Sequence, residues 1–267
     1  MTDRPRVFHL ITRLLRGGAE AKTIQTVFGL DGYDFTVGFG ADYDEEQVER
    51  LDARGVETRR FPLLRHYNPV TALPAVASIA RYLRREEFDI VHTHSTEAGI
   101  IGRLAAARAG VPGVHTVHGV PFADDRNSLL NRFVLAAERY AAPRTDRIVT
   151  NADAIAEEYL ARGIGRPDQY TTVYSGIDVE RFASAEPASD LPGERPRVTM
   201  VGRLVAGKGL GVLLDAVESM DSATFSVCVV GEGPERERFE RAVQALPGRR
   251  ENRVDKPAGR YTGWGLP

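Results

Sequence analysis

A glycine-rich turn carrying two cations follows an apolar run near residue 200 and is the most informative stretch of this sequence. The apolar run is VTMV over residues 198–201, and the turn reads GRLVAGKG over residues 202–209. The run has the length of a buried parallel strand, and residues 210–220 have the pattern of a helix. Ligands bind at the carboxyl end of such strands, where glycines admit a diphosphate and the cations Arg203 and Lys208 can hold it.

The same turn nearly matches the Walker A loop, G-x-x-x-x-G-K-[ST]. Its last position is Gly209, so the hydroxyl group that would bind Mg²⁺ in a Walker A loop is missing. We therefore predict a phosphate clamp, defined as Gly202, Arg203 and Lys208, that works without a metal ion.

Histidines are concentrated in two short strand-like runs. His92, His94, His115 and His118 account for four of the six histidines of the chain. Because imidazole is a common zinc ligand, a metal-dependent hydrolase centred on these residues stays open as an alternative. No carboxylate or cysteine is spaced to complete such a site, so we expect no metal. We expect instead that His118 and His94 contact a ligand, and that His92 and His115 are structural.

Strand-like and helical runs alternate along most of the chain. Strands are expected over residues 7–11, 35–39, 56–61, 89–93, 114–117, 147–150 and 170–174, and again over 198–201 and 225–230. This alternation predicts an α/β fold with parallel, doubly wound sheets. A polar stretch with three prolines, residues 183–196, predicts a linker between a first domain over 1–182 and a second over 197–246. Residues 247–267 show no periodicity and are expected to be irregular.

Composition excludes several classes of protein. The formal net charge of −2 over 267 residues argues against non-specific binding of nucleic acid. A single cysteine, Cys228, excludes an internal disulfide framework and fits a reducing compartment. The first residues lack the apolar core of a signal peptide, and no stretch has the length of a membrane span, so a cytoplasmic location is expected. Residues 59–67 form a basic and aromatic loop, which we interpret as a solvated connection, with contact to an anionic lipid surface as the alternative.

Six short motifs occur in a fixed order along the chain. They are GGAE at 17–20, HTHS at 92–95, TVHG at 116–119, SGID at 175–178, the turn at 202–209 and GEGP at 231–234. In this order the motifs resemble the retaining nucleotide-sugar glycosyltransferases of the GT-B class, in the group that builds lipid-linked glycans, capsules and lipopolysaccharide. The resemblance covers residues 6 to about 245.

The resemblance implies two Rossmann-like domains, the first for the acceptor and the second for the donor, a UDP- or GDP-sugar. It implies a glycan or lipid-linked acceptor, a peripheral location at the inner face of the membrane, no cofactor and no metal, and a reaction that retains the anomeric configuration. The implied catalytic residues are His118, Arg203 and Lys208; the donor-binding residues are Gly17, Gly18, Gly202, Arg203, Lys208 and Glu232; the acceptor-side residues are His94 and Glu97.

One feature of that family has no counterpart in this sequence. The family's donor domain carries a pair of glutamates in a later strand–loop–helix unit, and the sequence ends before such a unit. We therefore expect the second Rossmann-like domain to be incomplete, as in a truncated chain with a non-native tail, and nucleotide binding to be weakened. A non-catalytic remnant or binding module is the second alternative to a transferase. A nicotinamide enzyme is disfavoured, because the G-x-G-x-x-G spacing is absent at Gly17 and Gly18.

Overall fold

The structure is a computed structural model that describes residues 4–63, 69–122, 128–186, 197–219 and 226–245. The chain divides into two compact units, Met1–Ile177 and Asp178–Pro267, which we call unit 1 and unit 2. The sequence-based domain boundaries, residues 1–182 and 197–246, stay a prediction. Residues 187–196 of the predicted linker and the predicted tail at 247–267 lie outside the described residues.

Unit 1 is built on a parallel sheet of seven strands. The strands are β1 (Arg6–Ile11), β2 (Asp34–Phe39), β3 (Glu57–Arg60), β4 (Ile90–His94), β5 (Gly113–Val117), β6 (Arg147–Thr150) and β7 (Tyr170–Thr172). Their order in the sheet is β3-β2-β1-β4-β5-β6-β7, and every neighbouring pair is parallel. The predicted α/β fold with a parallel sheet is therefore confirmed. The predicted strands differ from the observed ones by at most two residues at either end.

Six helices connect these strands. They are α1 (Gly18–Gly29), α2 (Glu45–Asp52), α3 (Pro69–Arg85), α4 (Thr96–Ala109), α5 (Ser128–Ala141) and α6 (Asp153–Ala161). The end of α4 shows how sequence sets such a boundary. Gly110 adopts a left-handed conformation with φ of 76° at the C-cap and donates its N–H to the last turn of the helix, and Pro112 follows two residues later.

The two faces of the sheet are buried in different cores. On one face Phe8, Leu10 and Val91 pack in a cluster that α3 and α4 complete. On the other face Ile11 and Val37 pack in a cluster that α1 completes. Because side chains of a strand alternate between faces, His9 of β1 lies on the face of Ile11, where its ring contacts Phe35. The strand register pairs His9 with His92, so the histidines of β1 and β4 share this face.

Unit 2 contains a smaller sheet. Within the part of unit 2 that the structure describes, β8 (Arg197–Val201) pairs in parallel with β9 (Ser226–Val230). The helices are α7 (Val179–Ala183), α8 (Leu210–Glu218) and α9 (Arg236–Ala245). A core of Leu204, Leu210, Val229 and Phe239 lies between sheet and helices. This unit thus has the strand–helix–strand–helix order that a phosphate-binding turn requires after β8.

Candidate functional site

The site residues predicted for unit 1 lie at the carboxyl ends of three adjacent strands. Gly17 and Gly18 follow β1, Glu97 follows β4, and His94 is the last residue of β4. His118 comes directly after β5. Since β1 and β4 are neighbours while β2 lies on the other side of β1, this edge is the topological switch point of the sheet. Ligands of open α/β sheets bind at that point.

Three histidine rings are joined there by hydrogen bonds. The His9 Nδ1 and His94 Nε2 atoms lie 2.9 Å apart, and the His94 Nδ1 and His118 Nε2 atoms lie 3.1 Å apart. His9 and His94 are buried, with 1% and 2% of their surface exposed, and His118 is half-buried. We call His9, His94 and His118 the histidine chain. It links the interior of the sheet to the edge where a ligand would bind.

Burial makes these rings neutral. Loss of water lowers the pKa of His9 and of His94 well below the usual value, and the neighbouring His92 lowers both further. Burial also lowers the pKa of His118 to about 4, and the nearby positive charge of Lys22 acts in the same direction. At neutral pH His118 is therefore an uncharged hydrogen-bonding group and cannot supply a positive charge.

The other two histidines of the predicted cluster make separate contacts. The His92 Nε2 atom lies 2.7 Å from the Thr116 hydroxyl oxygen, which itself belongs to β5. His115 lies on the opposite face of the sheet, where its Nδ1 atom is 2.9 Å from the Thr93 hydroxyl oxygen. There it packs so closely against α4 that a Cβ on Gly99 would come within 2.4 Å of the His115 ring. The structural role expected for His92 and His115 stays a prediction.

A metal ion fits this cluster poorly. Among the residues that the structure describes, His9, His92 and His94 form a group with one ring nitrogen of each within 4.8 Å of the others. Both nitrogens of His94, however, already lie at hydrogen-bonding distance from other rings. An ion could coordinate His94 only if one of those bonds were broken. The geometry therefore gives the metal-hydrolase alternative little support.

The turn between β4 and α4 carries two unusual features. Ser95 has φ of 65° and ψ of 162°, a backbone conformation that residues other than glycine rarely adopt. Such backbone strain concentrates at functional sites. Glu97 is buried in the first turn of α4, and its Oε2 atom has no hydrogen-bond partner. Burial raises the pKa of Glu97 to about 7. Glu97 can therefore exist as a neutral acid or as a carboxylate near physiological pH.

The turn between β1 and α1 opens a helix with a glycine N-cap. Gly17 is the N-cap of α1 and has no side chain to cap the first turn, and the Glu20 carboxylate lies so close that a Cβ on Gly17 would come within 2.4 Å of it. Lys22, one turn further, donates a hydrogen bond to the carbonyl oxygen of Gly176 in the SGID motif. The same Lys22 is the charge that acts on His118. Lys22 of α1 therefore lies on the same side of the site as His118.

In unit 2 the predicted phosphate clamp lies at the carboxyl end of β8. Arg203 and Lys208 are both exposed on this turn, which ends at Gly209, the N-cap of α8. Gly207 and Gly209 have φ of 81° and 77°, the left-handed conformation that favours glycine. The turn is anchored by Leu204, whose side chain is buried and whose N–H donates to the Glu232 carbonyl oxygen at 2.8 Å.

Glycines also bring the turns after β8 and β9 into contact. A Cβ on Gly231 would come within 1.8 Å of the Gly202 carbonyl oxygen, and one on Gly233 within 2.2 Å of the Leu204 carbonyl oxygen. Glu232 is exposed between these glycines, and its carboxylate accepts a bond from Arg236 of α9 at 2.7 Å. The structure thus brings Glu232 to the same end of the sheet as Gly202, Arg203 and Lys208.

The predicted residues therefore form one group in each unit. Gly17, Gly18, His94, Glu97 and His118 lie at one edge of the unit 1 sheet, and the phosphate clamp and Glu232 lie at one edge of the unit 2 sheet. Sequence reasoning missed His9 and Lys22. The alternation of β1 carries a signal for His9, because His9 lies two residues before Ile11 on the face of the sheet that also carries His92 and His94.

The fold of the two units and this arrangement of turns are those of the GT-B class. Residues 5–176 match the family described as the glycosyl transferase 4-like domain, so the chain belongs to that family, which confirms the resemblance inferred from the motifs. Among solved structures, the Anabaena protein Alr3699/HepE in complex with UDP and glucose is similar over 90% of this chain and 66% of its own, with a TM-score of 0.67 and 19% identity.

Two curated relatives are similar in sequence. The UDP-Gal:alpha-D-GlcNAc-diphosphoundecaprenol alpha-1,3-galactosyltransferase of Escherichia coli is 33% identical over 150 residues, which cover 53% of this chain and 39% of the relative. The 2-deoxystreptamine N-acetyl-D-glucosaminyltransferase of Streptomyces fradiae is 31% identical over 245 residues, covering 81% of this chain and 58% of the relative. The chain thus spans about half the length of these relatives. Among the residues that the structure describes, no helix is both long enough and apolar enough to cross a membrane.

Proposed function

We propose that this protein transfers a sugar from a nucleoside diphosphate sugar to a glycan or lipid-linked acceptor. The observation that carries the proposal is the phosphate clamp, in which Arg203 and Lys208 stand exposed on a glycine-rich turn at the carboxyl end of β8. Two cations and an open backbone at that position suit a diphosphate. Family membership supports the same class of reaction.

A UDP-sugar is the donor we propose, with a GDP-sugar as the alternative. The Escherichia coli relative is named for a UDP-galactose donor, and the Anabaena structure contains UDP and glucose. The Escherichia coli relative is also named for an acceptor linked through a diphosphate to undecaprenol. A lipid-linked acceptor would bring the protein to a membrane surface, and assembly of a cell-envelope glycan is the process that we propose for it.

In the proposed reaction Arg203 and Lys208 neutralise the charge that develops on the departing nucleoside diphosphate. That is the task a metal ion performs in other transferases, and removal of one such contact lowers the rate about 10²–10³-fold. The clamp offers no hydroxyl for Mg²⁺ at Gly209, so we propose a metal-independent reaction. Retention of the anomeric configuration is part of the same proposal and rests on the motif resemblance.

Residues of unit 1 serve the sugar and the acceptor in this proposal. The amides of Gly17 and Gly18 hold an anionic group at the start of α1, as helix N-termini do. His118 forms a hydrogen bond to a sugar hydroxyl as a neutral imidazole, consistent with its pKa of about 4. Glu97 acts on the acceptor side, whereas His94, expected from the sequence to contact the ligand, is buried with both ring nitrogens bonded and supports that side from behind. A Glu97 with a pKa of about 7 can take up or release a proton there at physiological pH.

Turnover of donor sugars in the presence of EDTA tests the proposal. The full chain is incubated with UDP-glucose, UDP-galactose, UDP-N-acetylglucosamine or GDP-mannose, with and without a diphosphate-linked lipid sugar, and release of nucleotide is measured. We expect release that depends on one donor, survives EDTA and falls at least 100-fold in Lys208→Ala. Arg238→Ala, which removes an exposed cation of α9, is the matched control and should retain the rate.

The same experiment separates the alternatives. Nucleotide binding without turnover of any donor, with or without acceptor, would favour a binding module. Metal analysis of the purified protein addresses the hydrolase: stoichiometric zinc or manganese, together with a loss of activity in EDTA, would overturn the metal-independent proposal.

A further inference from the structure

Two residues of the histidine chain, His9 and His94, lie behind the edge of the sheet where a ligand would bind. We propose that His9 and His94 are positioning residues that hold the His118 imidazole in one orientation, with Nε2 turned toward His94 and Nδ1 left to meet the sugar donor or acceptor. The ligand contact of His118 rests on the proposed function, whereas the orientation of the ring is a property of the free protein. His9 has no part in the motifs of the sequence.

Ring geometry shows that the contacts are true hydrogen bonds between ring edges. The His9 and His94 rings are nearly parallel, with an angle of 8° between their planes. Their centroids lie 5.2 Å apart while the facing nitrogens lie only 2.9 Å apart, so the rings meet edge to edge and not face to face. His94 and His118 repeat this arrangement, with planes 28° apart, centroids 5.4 Å apart and nitrogens 3.1 Å apart. Nitrogen lone pairs lie in the ring plane, so each pair points at its partner.

Burial makes these bonds obligatory. His9 and His94 are almost completely removed from water, and a buried polar atom left without a partner is expensive. A half-buried imidazole such as His118 could otherwise rotate about its terminal torsion, which is broad and roughly two-fold. Rotation of His118 would leave the Nδ1 atom of His94 unpaired in the interior. The two buried rings therefore fix which edge of His118 faces outward.

The chain also couples the positions of the protons. A neutral imidazole carries one N–H, so three rings can form two N–H···N bonds only if every bond points in the same direction. In one arrangement His118 accepts at Nε2 and presents an N–H at Nδ1. In the other arrangement it donates from Nε2 and presents a bare acceptor at Nδ1. His118 can change what it presents to a ligand only if His94 and His9 change with it.

Nuclear magnetic resonance of the full-length protein labelled with ¹⁵N-histidine tests the histidine chain without any ligand. We expect scalar coupling between the facing nitrogens of His9 and His94 and of His94 and His118, and a His118 ring that stays neutral between pH 7 and pH 5. Assigned His118 signals that show free tautomer averaging, as in an exposed ring, would overturn the proposal. This result does not depend on whether the protein transfers sugar.

Variants separate positioning from general support of the fold. His94→Phe keeps a ring in the same volume but removes both bonds, so the His118 signals should shift to those of an averaged tautomer. His92→Phe is the matched control, because His92 lies on the same strand and face but bonds to Thr116. The His92 ring packs against that of His94, with centroids 4.3 Å apart, so small chemical-shift changes are expected, but the scalar coupling between His94 and His118 should persist. His94→Asn places an amide near the Nδ1 position and should restore the ordered His118 signals in part. An unchanged His118 spectrum in a folded His94→Phe protein would overturn the proposal.

An activity readout follows if donor turnover is found. We expect His94→Phe to lower kcat about tenfold, the effect of losing one well-placed hydrogen bond, with less effect on the KM of the donor. His9→Phe, which breaks only the inner bond, should lower kcat less, and His94→Asn should recover part of the loss. Equal activity of His94→Phe and wild type would overturn the role of the chain in positioning. Absence of turnover in all proteins bears on the proposed function, and the ¹⁵N measurements then decide the proposal.

Discussion

Acidification should destabilise unit 1, because five histidines, three buried and two half-buried, are held as neutral rings. Burial lowers the pKa of His92 and of His118 from the ordinary 6.5 to about 4, and holds the pKa of His9, His94 and His115 well below 6.5. Between these values the unfolded chain binds more protons than the folded protein. Stability is therefore complete above the unfolded pKa and is lost as pH falls below it.

The size of the effect follows from the two pKa values. For a ring with a pKa of 6.5 when unfolded and about 4 when folded, linkage gives a loss of at most about 2 kcal/mol between pH 7 and pH 5. His92 and His118 together account for about 4 kcal/mol, and the three deeper rings act in the same direction. Glu97, whose pKa is raised to about 7, offsets about 2 kcal/mol of this sum. A typical domain has only about 5–15 kcal/mol of stability.

Urea denaturation followed by circular dichroism at pH 7, 6 and 5 measures the effect. We expect the free energy of unfolding to fall by at least about 2 kcal/mol between pH 7 and pH 5, and by more if the three deeper rings contribute as their burial implies. His92→Phe keeps a ring at the same position without a titrating group and should reduce this loss by about 2 kcal/mol. A free energy of unfolding that is the same at pH 5 as at pH 7 would refute the reasoning, since the rings would then protonate inside the folded protein.

Three further predictions concern buried groups of unit 1. Arg103→Met should lower the free energy of unfolding by about 3–5 kcal/mol, because it leaves the fully buried Glu138 carboxylate, bonded at 2.6 Å to Arg103, without its partner. In urea denaturation the double variant Arg103→Met/Glu138→Leu should recover most of this loss. Additive losses from the two substitutions would count against the pair. Glu97→Gln should gain about 1 kcal/mol relative to wild type between pH 6 and pH 8, because burial penalises only the charged form; a constant difference would be inconsistent with a raised pKa. Gly40→Ala should lower the thermal midpoint by several degrees, because the added Cβ would lie 2.3 and 2.6 Å from two carbonyl oxygens. Gly29→Ala, which has open space around its Cβ, should leave the midpoint unchanged. Equal midpoints for the two variants would contradict the crowding at Gly40.

Local patterns were sufficient for the elements of the fold. Most strands of unit 1 contain a short apolar run between turn residues, with β3 (ETRR) and β7 (YTT) as the polar exceptions at the two edges of the sheet. The alternation with helices predicts the parallel sheet without knowledge of any distant contact. The carboxyl ends of those strands then place His94 and His118 at one edge, and the glycine turns at 17–18 and 202–209 mark the ends of two further strands. These inferences need only the period of the pattern and the rule that connects it to topology.

Features that depend on pairing between distant residues were beyond such reasoning. His9 and His94 are 85 residues apart, and only the register of β1 against β4 brings their rings together. Arg103 of α4 and Glu138 of α5 are 35 residues apart in the sequence and form a buried ion pair. Charged residues of helices are ordinarily predicted to face water. The strained backbone of Ser95 depends on the packing of the turn around it and has no signature in composition.

The affinity of the full chain for UDP, measured by titration calorimetry, tests the central claim that Arg203 and Lys208 hold a diphosphate. We predict a saturable heat of binding for wild type in EDTA, a Kd at least tenfold weaker for the Arg203→Ala/Lys208→Ala protein, and no change for Arg238→Ala. Equal affinity of wild type and the double variant would contradict the claim, because the diphosphate would then be held elsewhere.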